Sequence, residues 1–145
     1  SGFDTHSSHT DKHPQLMAQL DFALGAFHQA TVELGVADKV TTFTASDFGR
    51  GFTTNGDGTD HAWGAHHFIM GGAVNGGDIY GQYPTLGADV AGFNNPDAVG
   101  GAQIPTTSVD QYGATLGRWF GVSDSDIDVI FPRVRNFNTR YLGFL

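Results

Sequence analysis

Hydrophobic and polar positions follow a helical period in the segment 13–35. Its apolar side chains recur every three or four positions and form one stripe: Leu16, Leu20, Ala23, Leu24, Phe27 and Leu34. Proline is tolerated in the first turn of a helix, and glycine commonly follows the last turn, so Pro14 and Gly35 mark the two ends. The pattern predicts a helix over residues 13–35.

After this helix the pattern changes to short runs of β-branched and aromatic residues. The run 39–46, with the sequence KVTTFTAS, is bounded by polar residues and predicts a strand. The segments 66–70 and 78–83 are further strand candidates. A helix that leads into strands favours an α/β fold.

The second half of the chain begins with an irregular segment and then returns to a helical period. Residues 84–105 are rich in Gly, Asn and Pro without period, which predicts a long loop. A helix is predicted over 107–121, with Thr107 and Asp110 spaced as a capping box, and a short third helix from Ser123 to Pro132. No repeat or domain boundary interrupts the chain, so residues 1–145 are expected to belong to one domain.

Composition narrows the classes of function. The 145 residues include 21 glycines, which predicts a loop-rich domain, and the net charge of -8 argues against nucleic acid or an anionic membrane as a partner. No cysteine is present, so disulfides and thiolate metal sites are excluded. No apolar run approaches the roughly 20 residues of a membrane span, and the first residues are not a signal peptide.

Metal-ligating residue types are concentrated near residue 1. Asp4, His6, His9 and His13 lie within ten positions, and a carboxylate together with imidazoles suits zinc or another divalent cation. A polar loop with one helix cap explains the same residues equally well, because their spacing matches no closed structural zinc site.

A second group of candidates lies between residues 46 and 67. Asp47 directly follows a predicted strand, where it either binds a ligand or caps a turn. His61, in a glycine-rich loop, is a candidate ligand or acid–base group, or an ordinary exposed histidine. Arg50 is a candidate for binding phosphate or sulfate, with a local carboxylate as the alternative partner. His66 and His67 point to opposite faces of a predicted strand, so one of them at most joins His61, and His66 is the substrate-binding candidate.

Five stretches of the chain resemble a known family when they are taken in order. They are GFDTH, SDFGR, GTDHAWG, VDQYGATLGRWFGVSDSDIDVIFP and the terminal LGFL. Together they resemble the carboxyl-terminal portion of the exported bacterial family called domain of unknown function 1501, which is similar to the alkaline phosphatase and sulfatase superfamily. The resemblance implies a partial alkaline-phosphatase-like sandwich, a parallel-rich sheet flanked by helices, whose amino-terminal half is missing.

The resemblance also implies a two-metal site that cleaves phosphate or sulfate esters. Its ligands in this chain would be Asp4, His6 (or His9), Asp47 and His61, holding zinc, calcium or magnesium. Phe48 stands where the superfamily has a metal-binding histidine, and a phenyl ring cannot bind a metal. One of the two metals is therefore expected to lack a ligand or to be absent.

The remaining implications concern what lies outside the chain. The nucleophile and a further metal-binding aspartate would come from the missing amino-terminal half, which is the expected partner. An export signal, often of twin-arginine type, would lie upstream and send the protein to the periplasm or the exterior. Two functions stay open: a metal-dependent hydrolase of a small anionic ester, and a non-catalytic secreted or surface protein with a degenerate metal site.

Overall fold

A computed structural model of the protein describes residues 2–87 and 94–145. Its elements in chain order are α1 (His9–Glu33), a 3-10 turn (Ala37–Lys39), β1 (Thr41–Phe43), β2 (Gly49–Thr54), β3 (Thr59–Ala62), β4 (Ile69–Gly71), β5 (Ala98–Val99), β6 (Ala102–Gln103), α2 (Val109–Trp119), α3 (Asp124–Ile130) and a second 3-10 turn (Pro132–Asn136). The predicted mixed α/β class is confirmed. No helix in the described ranges is both long and apolar enough to cross a bilayer.

The chain divides into two compact units. The first comprises the described residues of Ser1–Gly72 and Pro84–Pro105, and the second comprises Ala73–Tyr83 with Thr106–Leu145. That residues 1–145 belong to a single domain stays a prediction.

Short antiparallel pairs make up the strands of the first unit. β1 pairs with β4, β2 with β3, and β5 with β6, and each pair is a two-stranded sheet. Within the described residues no strands run parallel, so the parallel-rich sheet implied by the resemblance is not found in this part of the chain.

The first helix confirms the prediction for residues 13–35 but begins earlier, at His9. Its first turn is held from outside the helix, because the backbone N–H of His9 donates to the carbonyl of Asp57 at 2.9 Å. A contact across 48 positions leaves no signature in the local pattern. At the other end Gly35 adopts a φ of +68°, a left-handed conformation that favours glycine after a helix.

Three strand predictions need correction. The run 39–46 contains the end of a 3-10 turn and only the short strand β1, and the run 66–70 becomes a strand only at Ile69, so His66 and His67 precede it. Residues 78–83 form no strand.

The predicted loop 84–105 contains the hairpin of β5 and β6, while its residues 88–93 lie outside the described part.

His61, predicted to lie in a glycine-rich loop, lies in the hairpin of β2 and β3 instead. The turn of this hairpin is closed by Asn55, whose N–H donates to the carbonyl of Gly58 at 3.0 Å and whose Oδ1 accepts from the N–H of Gly58 at 2.9 Å. Asn-Gly is a strong turn signal between two strands. The sequence therefore contains a turn signal at Asn55–Gly56. The strands on either side lack a clear alternation of apolar and polar residues, because they are largely exposed and their pairing shifts register between Arg50 and Thr54.

In the second unit, α2, α3 and the second 3-10 turn pack around Ala114, Ile127 and Val134, which are fully buried. The capping box of α2 is formed by Ser108 and Gln111, so the prediction of Thr107 and Asp110 is wrong. The carboxylate of Asp110 instead accepts a hydrogen bond from the N–H of Arg133 at 3.0 Å.

The predicted cap of the third helix is confirmed. The hydroxyl of Ser123 accepts a hydrogen bond from the N–H of Asp126 at 3.2 Å, and the helix ends at Ile130, before Pro132. Local capping rules therefore place this helix correctly.

Candidate metal centre

Three side chains from separate parts of the first unit converge on one point. Asp4 and His6 lie in the segment before α1, and His61 lies on β3. Asp4 Oδ1 lies 3.0 Å from His6 Nε2 and 2.9 Å from His61 Nε2, and the two imidazole nitrogens lie 3.0 Å apart. The three ligand atoms form a nearly equilateral triangle.

The β2–β3 hairpin holds the segment that carries Asp4 and His6. The N–H of Thr59 donates to the carbonyl of Thr5 at 3.3 Å, and Asn55 Nδ2 donates to the carbonyl of His6 at 3.2 Å. The close approach requires Gly58, because a Cβ there would lie 2.4 Å from the backbone carbon of His6.

Thr5, between two of the converging residues, is a buried residue that the sequence did not single out. Only 2% of its surface is exposed, and its hydroxyl lies 2.6 Å from His9 Nδ1 on the first turn of α1. His9 in turn stacks on His13, with ring centroids 4.8 Å apart. These contacts fix the peptide that carries Asp4 and His6, and no pattern of spacing reveals them.

Arg50 links the hairpin to the cluster from a position opposite His61 in the strand register. Its Nη1 donates to Asp4 Oδ1 at 2.7 Å, its Nε donates to Thr59 Oγ1 at 3.0 Å, and its Nη2 donates to the carbonyl of Thr59. Arg50 therefore has a carboxylate partner, but the partner is Asp4, 46 positions away, and not the local carboxylate of the alternative prediction. Binding of a phosphate or sulfate by Arg50 stays a prediction.

Phe48 covers one face of His61. The two rings are nearly parallel at 13°, with centroids 3.8 Å apart, and the guanidinium carbon of Arg50 lies 5.8 Å from the centre of the phenyl ring. Stacking restricts the orientation of the imidazole without adding a ligand. Phe48 therefore positions His61 within the cluster.

The electrostatics favour an ionised carboxylate in the cluster. Hydrogen bonding from His61 is the largest cause that lowers the pKa of Asp4, with further lowering from Arg50 and His6, while desolvation acts in the opposite direction. Metal ligands of this type must be deprotonated. Asp4 is in that state at neutral pH.

The geometry and the donor set both fit a divalent cation. Ligand atoms that share an ion at about 2.0–2.2 Å lie roughly 3 Å apart in octahedral coordination and roughly 3.4 Å apart in the tetrahedral sites usual for zinc. These three lie 2.9–3.0 Å apart, so they need only a small shift to share one zinc ion. Two imidazoles and one carboxylate suit zinc or another transition metal better than calcium or magnesium, which prefer oxygen. All three residues are exposed, which suits a centre with open coordination positions.

Asp60 supplies a second contact to His6, on the nitrogen that faces away from the triangle. Its Oδ1 lies 3.5 Å from His6 Nδ1 and accepts a hydrogen bond from Asn55 Nδ2 at 3.0 Å. A carboxylate beside the other nitrogen of a ligand histidine fixes the orientation of the ring.

The remaining predicted site residues lie apart from the triangle. Asp47 is exposed in the segment between β1 and β2 and is not one of the three residues whose ligand atoms converge. His66 is exposed and lines a cavity that Asp4 and Arg50 also line. The structure therefore brings together Asp4, His6 and His61 of the four proposed ligands, and the role of Asp47 stays a prediction.

A family model described as protein of unknown function, DUF1501, matches residues 1–131. The chain belongs to this family. The matched range contains all three residues of the triangle together with Arg50 and Phe48, so the centre lies inside the region that defines membership. Searches of curated proteins and of solved structures found no match.

Proposed function

We propose that Asp4, His6 and His61 bind one divalent cation in a hydrolase that cleaves phosphate or sulfate monoesters. The observation that carries the proposal is the triangle of ligand atoms, with sides of 2.9–3.0 Å. The donor set favours zinc over calcium or magnesium. A small anionic ester is the substrate class.

Each residue of the centre has a part in this proposal. Asp4 and the two histidines hold the cation, and Arg50 donates a hydrogen bond that holds the Asp4 carboxylate in place. When bound, the cation would supply Lewis-acid stabilisation of charge on an ester oxygen. Phe48 and Asp60 set the orientation of the two imidazoles.

The wider proposal follows the family resemblance. It assigns the chain to the carboxyl-terminal part of an alkaline-phosphatase-like sandwich in an exported protein of the periplasm or cell exterior. The nucleophile would come from the part of the protein outside residues 1–145, and Asp47 would serve a neighbouring ligand position. Support comes from the donor set of the centre and from the motifs GFDTH, SDFGR and GTDHAWG.

Metal content of the full-length protein tests the ligand assignment. The wild type, dialysed without chelator, is expected to retain about one divalent ion per chain by elemental analysis, and Asp4→Ala and His61→Ala are expected to lose it. His28→Ala is the matched control, because His28 lies on α1 outside the triangle. Unchanged metal content in both ligand variants would overturn the proposal, and Asp47→Ala shows whether that residue contributes.

Phe48 favours a second candidate function, a non-catalytic secreted or surface protein that keeps a degenerate metal site. A phenyl ring stacked on His61 fills space beside the centre but binds no cation. This candidate predicts that the full-length protein cleaves no aryl phosphate or aryl sulfate with zinc, manganese, magnesium or calcium. It also predicts that Phe48→His restores no activity. Turnover by the wild type would exclude it.

A further inference from the structure

A cavity of about 580 Å³ opens beside the metal centre, entirely within the first unit. Its wall is formed by one face of α1, by residues 44–46 and 48–50, and by residues 64–68. The cavity and the centre share three side chains, those of Asp4, Phe48 and Arg50. Sites for small molecules span about 300–1,000 Å³, and this volume lies in that range.

Part of the cavity wall is apolar. Met17 and Leu20 lie three positions apart on α1 and therefore on the same helix face. Three phenyl rings complete this part of the wall: Phe3, Phe48 and Phe68. Such side chains offer dispersion contacts to a flat apolar group and no directed hydrogen bonds.

The two hydroxyl groups of the wall, on Thr44 and Ser46, are bonded within the wall. The hydroxyl of Ser46 donates to the carbonyl of Phe48 at 2.8 Å. Thr44 Oγ1 accepts from the N–H of Phe68 at 2.9 Å and lies 3.3 Å from His67 Nδ1. A sugar would need a partner for each of its several hydroxyls, and hydroxyls left unpaired against the apolar part of the wall would cost affinity.

The charge of the wall favours an anion at the end shared with the centre. Asp4 is the single carboxylate among the described lining residues, although the chain has a net charge of -8. Arg50 neutralises that carboxylate at 2.7 Å. Once a divalent cation is bound by the triangle, an excess of positive charge therefore remains at this end of the cavity, even with the Asp60 carboxylate beside His6.

We propose that the cavity binds the organic group of an anionic ester substrate, and that this group is a planar apolar ring system. The anion lies toward the centre and Arg50, and the ring lies against Met17, Leu20 and the phenyl rings. This inference rests on the proposed function, because the end that receives the anion becomes positive only when the cation is bound.

Calorimetry with two unreactive phosphonates tests the proposal on the full-length, metal-loaded protein. 1-Naphthylmethylphosphonate and methylphosphonate share the anion and differ in the ring, and the matching sulfonates form a second pair. We expect the ring to strengthen binding tenfold or more in at least one pair. Ala45→Trp fills the cavity from an exposed position and is expected to reduce this preference below threefold, leaving the methyl compound within twofold.

Ala26→Trp is the matched control, since Ala26 is exposed on α1 and does not line the cavity. It is expected to change neither affinity. Equal binding of ring and methyl compounds to the wild type, or no binding of either, would overturn the cavity proposal. A ring preference that survives Ala45→Trp would also overturn it.

The proposed function fails separately from the cavity proposal. The proposed function is overturned if Asp4→Ala and His61→Ala both keep the metal content of the wild type, whether or not the phosphonates bind. Metal retained through the triangle, combined with no preference for the ring, would leave the proposed function standing and refute the cavity proposal alone.

Discussion

The two units of the chain are stabilised by different kinds of contact. The second unit packs α2 and α3 around buried apolar side chains. Both helices start with a serine cap, and each cap joins two residues three positions apart in the sequence. The centre of the first unit depends on polar contacts between distant positions, 46 apart for Arg50 with Asp4 and 57 apart for His61 with Asp4.

This difference separates stability from site geometry. Filling a core requires the right volume, and a site requires that several backbone segments meet within a few tenths of an ångström. In the first unit that precision comes from the hairpin, whose register places Arg50 opposite His61, and from the close approach at Gly58. Substitutions in the two regions should therefore affect different measurements.

The largest expected effect on stability comes from the core of the second unit. Ile127 is fully buried, and Ile127→Ala removes apolar contacts and leaves a cavity, which costs about 3 kcal/mol. Urea unfolding of the full-length protein measures the loss. Metal content per folded chain is expected to stay unchanged, because the triangle lies in the first unit.

Val129→Ala provides the control for this prediction. Val129 is on the same helix and 78% exposed, so its truncation is expected to change the free energy of unfolding by less than about 0.5 kcal/mol. Loss of metal in folded Ile127→Ala would show that the contrast between the two regions is wrong.

Gly58→Ala is expected to act on the centre more than on the fold. The added Cβ would lie 2.4 Å from the backbone carbon of His6 and 2.5 Å from the carbonyl oxygen of Thr5, so the segment that carries the ligands must move. Overpacking of this kind costs about 1–3 kcal/mol. We expect metal affinity to fall at least tenfold, as measured by competition with a chelator.

Gly25→Ala is the matched control for Gly58→Ala. A Cβ at this position on α1 meets no atom within 4 Å, and alanine in a helix is more stable than glycine by about 0.5–1 kcal/mol. The control should therefore stabilise the protein and leave metal affinity unchanged. Wild-type affinity in Gly58→Ala would contradict the role assigned to the close approach.

The sequence predicted the elements that local rules determine. The helical period and Gly35 identified the first helix, and Ser123 with Asp126 identified the start of the third. Pro14 did not mark the first turn, because the helix begins at His9 and contains the proline. The prediction failed at α2, where Thr107 and Ser108 both precede the helix and Ser108 accepts the hydrogen bond from the N–H of Gln111. The signal was present in the sequence, because a capping box has Glu or Gln three positions after the cap, which fits Ser108 with Gln111 and not Thr107 with Asp110.

The candidate site was predicted in its residue types but not in its geometry. Residue type and the family resemblance together indicate Asp4, His6 and His61 as ligands, and their convergence depends on the β2–β3 hairpin, which the sequence patterns did not predict. Asp47 was chosen because it follows a predicted strand, but that strand ends at Phe43. A candidate chosen by position depends on the boundary of its element, which sequence patterns locate poorly.

The smallest expected effect is a pH dependence that arises beside the centre. Desolvation is the main cause that lowers the pKa of His9, and repulsion from His13 and Arg50 adds to it. In the unfolded chain a histidine takes up its proton near pH 6.5, before folded His9 does. Stability is therefore fully present above about pH 6.5 and falls as the pH decreases toward the lower folded pKa.

His9→Asn isolates this contribution, because asparagine does not titrate and its Oδ1 can accept the hydrogen bond from Thr5 in place of His9 Nδ1. Urea unfolding at pH 7.5 and pH 5.5 is expected to show a smaller decrease in stability for His9→Asn than for the wild type. The difference should be below that of Gly58→Ala, since His9 is only partly buried. If the free energy of unfolding decreased equally in both proteins, the pH dependence would arise from other histidines. The contact between Thr5 and His9 would then stabilise the segment that carries Asp4 and His6 equally at both pH values.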